Sequence, residues 1–471
     1  MLSRTTSALR WTGLLLLSAA ITAQTSSSQE NKPPAEHHDH DMHDMSTMSM
    51  DMPGMQGMMQ MRQATNLIES QLNHLSSGTT SEPASTPMYM LMGHHGAWMW
   101  MLHGEAFVTD IQQQAAQTPE GRRGGDKLFS TNWVMPMAMR RLGPGQLTLR
   151  TMFSLEPATI TARQYPLLFQ QGETAFGKPI IDGQHPHNFF MEVAALYDIK
   201  LSERTLLSFY VAPIGDPAIG PSAYPHRMSA SENPLAALGH HQEDSTHIAY
   251  NVITTGLTWR WARIEGSGFH GGEPGEDRWQ FQPSENGLAI DSYSTRITIA
   301  PNANWSGQYS IAHIANPEPG AHETQQRQTA SIMYNRPFGP RDANELSTGN
   351  WSNTLVWGRT SSHGKLNSYL AESLLKFANK NYVWTRIENA ARTNQLLLTP
   401  GKPVPPDFEE EPIGHVAAFS FGYDRDFRIG RHITAAPGAQ FTTYNTPQAL
   451  QTTYGDHPWG VAAFLRFRIA Q

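Results

Sequence analysis

Apolar and polar residues alternate with a period of two through much of the chain after residue 88. In WMWMLHGEAFVTD, which begins at Trp98, large apolar residues fall on one face, and methionine, histidine, glutamate and threonine fall on the other. In GVAAFLRFRIAQ, at the end of the chain, apolar residues alternate with Arg466 and Arg468. This period predicts β-strands. An apolar face opposite arginine and glutamate is typical of a wall between lipid and a polar lumen.

Strand length and aromatic placement favour a membrane barrel over a soluble β-sandwich, which shows the same alternation with its faces reversed. Candidate strands reach about ten residues, the length of an oblique bilayer crossing. Tryptophans near predicted strand ends suit interfacial girdles. They are Trp98, Trp100, Trp259, Trp261, Trp305, Trp351, Trp357 and Trp384. We therefore predict an all-β fold for residues 88–471, a transmembrane antiparallel β-barrel of roughly 12–16 strands in contact with outer-membrane lipid.

The first 23 residues predict export. Arg4 and Arg10 give a positively charged region before a short apolar run, WTGLLLLSAAITA. The run ends in small residues, as signal peptides do. The run is shorter than the stretch of about 20 apolar residues in a membrane helix. Residues 1–23 are therefore predicted to be a signal peptide cleaved after Ala23, and the protein to reach the bacterial outer membrane through the periplasm.

Residues 24–87 are predicted to form a disordered Met/His-rich, metal-binding segment and linker. Residues 24–36 are polar and contain a Pro-Pro pair, which is typical of disorder. RQATNLIESQLNHL, residues 62–75, has the apolar spacing of a short amphipathic helix. SSGTTSEPASTP, residues 76–87, is predicted to be a linker.

The composition limits which partners and which metal ligands the chain can have. A net charge of −7 argues against nucleic acid as a partner, and 16% charged residues is low for a soluble enzyme. The chain has no cysteine, so disulfides and thiolate metal sites are excluded and any soft metal ligand has to be methionine. The sequence contains no nucleophile elbow, phosphate-binding glycine loop or dinucleotide fingerprint, and we assign no catalytic residue and no organic cofactor.

The segment HHDHDMHDMSTMSMDMPGMQGMMQM, residues 37–61, holds nine methionines, four histidines and four aspartates. Thioether sulfur suits Cu(I), and imidazole also accepts Cu(II) and zinc. The alternative is a solvated low-complexity tail, for which methionine is a poor choice because it is apolar. We predict metal binding here, with copper favoured over zinc. The predicted ligands are His37, His38, His40, His43, Met42, Met45, Met48, Met50, Met52, Met55 and Met58.

Methionine and histidine also recur within the predicted barrel. Strand alternation predicts that Met99, Met101 and His103 point into the lumen as further metal ligands. Three alternating methionines at 135–139 share a face of NWVMPMAMRR, but the sequence leaves open whether that face meets lipid or lumen. The alternative for each of these sulfurs is adaptable apolar filler.

Histidines also occur in three stretches that read as loops, IIDGQHPHNFF, GHHQEDSTH and FHGGEPGEDR. His185-Pro-His187 places two imidazoles on one side of an extended chain. We predict His185 and His187 as ligands of a copper or zinc site, since imidazole is a ligand that both metals accept. Loop histidines bonded to water or backbone are the alternative.

In its order of segments the chain resembles the copper-resistance B family of outer-membrane proteins. The resemblance rests on the tract at 37–61 and on the succession of export signal, Met/His/Asp-rich mature N-terminus and β-barrel. It implies copper binding and tolerance at the outer membrane of Gram-negative bacteria, by sequestration or efflux, with periplasmic metal carriers as partners.

The sequence is therefore compatible with three functions. The first is a barrel that gathers copper on its N-terminal tract and passes or holds it along a Met/His-lined lumen. The second is a porin-like barrel for another solute with a metal-buffering tail. The third is an exported metalloenzyme that uses His185 and His187 with Asp182 or Glu273.

Overall fold

The computed structural model describes residues 63–118, 121–244, 249–281, 287–317, 324–342, 346–362 and 364–469. The predicted signal peptide and the predicted metal ligands between His37 and Met58 lie outside these residues. Among the helices within the described ranges, none is long and apolar enough to cross a membrane.

Sixteen antiparallel strands form one closed sheet. The first strand, β1, closes the sheet by pairing with the last, β16, from Glu105 opposite Arg468 to Gln114 opposite Trp459. The strands are β1 Trp98–Thr118, β2 Gly121–Leu142, β3 Gly145–Phe153, β4 Phe190–Ser202, β5 Thr205–Gly215, β6 Ala249–Trp259, β7 Ala262–His270, β8 Ser292–Ile299, β9 Trp305–Ala315, β10 Thr324–Arg341, β11 Ser347–Ser362, β12 Gly364–Phe377, β13 Asn381–Thr393, β14 Pro412–Arg425, β15 Ile433–Asn445 and β16 Trp459–Ile469. The predicted all-β barrel is confirmed.

Side chains alternate between a buried inner face and an exposed outer face along these strands. In β8, Ser294, Arg296 and Thr298 are buried in the lumen. Ile297 and Ile299, which lie between and beyond them, are each 45% exposed on the outside. A closed sheet with an apolar outer face satisfies its backbone hydrogen bonds internally and presents hydrocarbon to lipid, as a membrane barrel requires.

The tryptophan girdle is confirmed in part. Exposed tryptophans on the outer face are Trp100, Trp259, Trp261, Trp305 and Trp351. Trp384 is only 2% exposed, and its ring lies 5.9 Å from that of Phe464 inside the barrel. The prediction was wrong for Trp384, because the alternation along β13 places this residue on the lumen face together with Tyr382 and Arg386.

Connections differ in length between the two ends of the barrel. At one end the turns are tight, as between β2 and β3 or between β4 and β5. At the other end, residues 154–189 join β3 to β4 and residues 216–248 join β5 to β6. Both connections send buried residues across the lumen, so we call 154–189 the first inward loop and 216–244 the second inward loop.

Short elements lie outside the sixteen strands. The helices are α1 Leu67–Asn73, α2 Glu156–Thr159, α3 His240–Glu243 and α4 Gln448–Tyr454, with 3-10 turns at Thr161–Arg163, Tyr224–His226, Met228–Ala230 and Asn394–Leu397. Short strands occur at Leu91–His95, Tyr165–Pro166, Glu173–Ala175, Lys178–Ile180, Gly183–Gln184 and Phe427–Arg428.

The helix predicted between residues 62 and 75 is confirmed as α1. It begins after Asn66, whose side chain accepts a hydrogen bond of 3.1 Å from the backbone N–H of Glu69. This N-cap satisfies one of the backbone donors that a helix start leaves without a partner. Leu67 and Ile68 are buried, so α1 packs by its apolar face.

The stretch after α1 differs from the predicted linker, because it is buried inside the barrel. Ser76, Ser77 and Thr79 are each less than a tenth exposed. Ser85 Oγ donates to the backbone oxygen of Asn335 on β10 at 2.9 Å, and the Asn335 side chain donates back to the Ser85 oxygen at 2.9 Å. We call residues 63–90 the plug segment.

Arg150 on β3 holds the plug segment at the lumen wall. It is fully buried, and its Nε donates to Glu192 Oε2 of β4 at 2.6 Å. Its two terminal nitrogens donate to the carbonyl oxygens of His74, Ser76 and Gly78 at 2.6–2.8 Å. The small polar residues of this stretch are therefore ordered by hydrogen bonds from the wall. Nothing in their own spacing indicates that order.

Other charged residues attach the second inward loop to the wall in the same way. Arg227 pairs with Glu372 of β12 at 2.7 Å, and Glu372 also accepts from Arg386 at 3.0 Å. On β16, Arg466 lies 2.6 Å from Glu232 of the same loop. The lumen of the described barrel is thus filled by the plug segment and the two inward loops.

Candidate functional site

Three pairs of soft ligand residues face one another across β1 and β2. Met99 lies opposite Met139, Met101 opposite Met137, and His103 opposite Met135. All six side chains are buried on the lumen face. Directly opposed residues of antiparallel strands have Cβ atoms about 4.5–5.5 Å apart, so flexible thioethers at these positions can reach a common ion. We call these six residues the methionine ladder.

The ladder belongs to a larger methionine cluster. Buried methionines from other elements pack against it, namely Met90 of the plug segment, Met152 of β3 and Met191 of β4, with Met88 partly buried beside them. The full chain has 22 methionines. The cluster and the tract at 37–61 together contain most of them. Sulfur is therefore concentrated at two places in this protein.

Two histidines complete the cluster. His103 lies on the ladder, and within the described residues no hydrogen-bond partner is found for its buried Nε2. His226 enters from the second inward loop, and its Nε2 lies 2.8 Å from the sulfur of Met152. A cavity of about 120 Å³ is lined by both histidines, by Met88 and by Glu105. Imidazole and thioether side chains thus line the same cavity.

His226 is neutral in this environment. Burial, together with the nearby charges of His103 and Arg150, lowers the pKa of His226 to about 3. A pKa so far below 7 means that the imidazole carries no charge at neutral pH. In the neutral ring, the nitrogen that carries no proton keeps its lone pair. This neutral form of histidine is the one that binds metals.

The predicted inward direction of Met99, Met101 and His103 is confirmed by their burial. The methionines at 135–139, whose face was left open, also point inward because they pair with those three residues. Met152, Met191 and His226 were not among the ligands predicted from the sequence. The inward direction of Met152 could have been predicted from the sequence, since this residue shares the polar face of β3 with Arg150. The direction of His226 could not, because a loop has no periodicity that fixes where its side chains point.

A second group of ligands forms where the two inward loops meet. In the part of the chain that the structure describes, Glu173, His185 and His241 are the three side chains whose ligand atoms all lie within 4.8 Å of one another. His185 Nε2 is 3.2 Å from Glu173 Oε1, and His241 Nε2 is 3.9 Å from the same oxygen. The remaining oxygen of Glu173 accepts from Arg278 at 3.2 Å.

The predicted pairing of His185 with His187 differs from this arrangement. His187 Nδ1 lies 2.9 Å from Glu156 Oε1, and its backbone N–H donates to the other oxygen of Glu156 at 2.7 Å. His187 is absent from the group formed by His185. The two imidazoles therefore face different carboxylates, His185 that of Glu173 and His187 that of Glu156 on α2.

Similarity to known proteins is confined to solved structures of low sequence identity. No protein-family model and no curated protein sequence matches the chain. Solved structures that align with it include an anion-selective porin from Comamonas acidovorans (11% identity, 79% of this chain and 100% of that chain, TM-score 0.47). Others are OprB of Pseudomonas putida (9%, 80% and 94%, 0.46) and the outer-membrane channel DcaP of Acinetobacter baumannii (7%, 80% and 100%, 0.45). These similarities carry no conclusion about the solute.

The closed sheet and its apolar outer face define a porin-like β-barrel of the bacterial outer membrane. The predicted location is thus confirmed, and outer-membrane lipid surrounds the barrel.

Proposed function

We propose that this barrel binds cuprous ions in its lumen and passes or holds them along the methionine ladder. The observation that carries the proposal is the buried cluster of ladder methionines and Met152. The sulfur of Met152 lies 2.8 Å from Nε2 of His226, and His103 lies opposite Met135 on the ladder. Thioether sulfur is a soft neutral donor that suits Cu(I). Several exchangeable sites in a row suit transfer, since conduction requires binding that also releases the ion.

The surrounding wall argues against apolar filler as the reason for these sulfurs. Elsewhere the lumen face mixes hydroxyl and charged side chains with buried aliphatic and aromatic ones, such as Val252, Leu374 and Phe464. Where that wall is apolar it uses methionine rarely, as at Met333, whereas eight buried methionines are gathered in the one cluster. This concentration supports a role for the sulfur itself.

A porin-like barrel for another small solute is the second candidate. The observation that favours it is the charged lumen wall, in which buried arginines pair with carboxylates of neighbouring strands, as Arg150 does with Glu192 and Arg296 with Glu265. A polar inner face is typical of porins. The two candidates differ in what binds to the purified barrel, since a porin for another solute has no reason to bind Cu(I) in the lumen and the copper proposal requires it.

Deleting residues 37–61 tests the lumen separately from the tract. We expect the deletion to lower the copper bound per chain and the copper tolerance of the host, because nine methionines and four histidines are removed. We also expect Cu(I) binding to persist in the ladder. The measurement is titration of detergent-purified protein against a competing cuprous chelator under reducing conditions. A deletion variant that binds no Cu(I) would favour the porin-like candidate.

A further inference from the structure

We propose that Glu173, His185 and His241 form a second metal site, which takes a divalent transition-metal ion of the zinc type. The three ligands come from both inward loops, with Glu173 and His185 in the first and His241 in the second. An ion bound there would tie the two loops together inside the barrel. This inference goes beyond the proposed copper function and uses a different set of residues.

The distances suit such an ion. Zinc binds nitrogen and oxygen at about 2.0–2.2 Å in tetrahedral geometry, which places neighbouring ligand atoms about 3.3–3.5 Å apart. The two imidazole nitrogens lie 3.2 and 3.9 Å from Glu173 Oε1. His185 needs no change, and a shift of less than about 1 Å brings His241 into the same geometry.

The orientation of His185 points to a cation as well. Its Nδ1 lies 2.8 Å from the carbonyl oxygen of Pro186, and a carbonyl only accepts, so Nδ1 carries the proton. In the neutral ring Nε2 then presents a lone pair toward the Glu173 carboxylate. Two acceptors face each other only with a proton or a cation between them. A proton explains the His185 contact alone, whereas a metal ion also explains why His241 converges on the same oxygen.

Ligand chemistry and access select the class of ion. Two imidazoles and one carboxylate suit zinc or Cu(II), whereas calcium and magnesium prefer oxygen ligands. Arg278 holds the other oxygen of Glu173 at 3.2 Å and so fixes the carboxylate for binding through one atom. The side chain of His241 is 22% exposed and lines a cavity of about 80 Å³. This cavity gives an entering ion access to His241, and water would complete the four ligands that zinc takes.

Zinc titration of the full chain tests the site. We expect His241→Ala and Glu173→Gln each to bind one zinc equivalent fewer than the unmodified protein, measured by equilibrium dialysis. His187→Gln is the matched control, since His187 is in the same loop but bonds to Glu156. All chains keep the tract at 37–61, so its histidines contribute equally. Heat-modified gel migration checks that each variant is folded. Equal zinc binding by all four proteins would overturn the proposal.

A cysteine variant provides a second measurement that does not depend on counting ions. The chain has no cysteine, so any thiolate ligand in His241→Cys can come only from position 241. We expect Co(II) added to this variant to give a sulfur-to-cobalt charge-transfer absorption band, because thiolate is a good ligand at a zinc-type site. The control is His187→Cys, for which no such band is expected. A band in both variants, or in neither, would contradict a site at position 241.

Discussion

Replacing Met101 and Met137 together with leucine is expected to weaken Cu(I) binding in the lumen by at least about 10–100-fold, because the loss of even an outer-shell partner of a metal costs that much. These residues face each other on β1 and β2 at the centre of the ladder. Leucine keeps nearly the same volume and costs less than about 1.5 kcal/mol of stability in a core, so the sulfur is removed while the barrel remains. The affinity for Cu(I) is measured by competition with a cuprous chelator, using protein that lacks residues 37–61. In that protein the lumen holds the remaining cluster of methionines.

Met333→Leu is the matched control. Met333 is also buried and faces the lumen, on β10, but lies outside the methionine cluster. We expect this variant to bind Cu(I) as the parent does. If the double variant and Met333→Leu both retained the parent affinity, the ladder sulfurs would be packing groups and the copper proposal would be wrong.

Replacing Arg150 with methionine is expected to release the plug segment and to increase conductance through the barrel. The change leaves the buried Glu192 without its arginine and removes the donor from the carbonyl oxygens of His74, Ser76 and Gly78. Breaking a buried ion pair by removing one partner costs about 3–5 kcal/mol. The relevant measurements are single-channel conductance in planar bilayers and the sensitivity of the host to bulky antibiotics.

Arg141→Met is the control for this experiment. Arg141 lies near the same end of the barrel, on β2, but it is exposed. We expect its conductance to match that of the parent. If Arg150→Met does not assemble, adding Glu192→Gln removes the uncompensated charge and keeps the test available. Parent-like conductance of a folded Arg150 variant would show that the plug segment is held by other contacts.

The direction of side chains along the strands could be predicted from the sequence because the period of a strand is two. This period placed Met99, Met101 and His103 in the lumen. The prediction for Trp384 was wrong because it rested on aromatic character, whereas the alternation of β13 places this residue in the lumen. Residue type is thus a weaker guide than register, since lipid and a filled lumen both accept an aromatic ring.

The sequence by itself determined the class of this protein, a closed antiparallel barrel with a lipid-facing exterior, because local alternation records which face is apolar. Only the tertiary structure decided what fills the lumen and which ligands meet. Strand register places Met137 opposite Met101, and the approach of the two inward loops brings His241 close to His185. The plug segment is ordered by Arg150, far along the chain. Such contacts depend on where distant residues arrive after the barrel closes, and a local pattern carries no record of that.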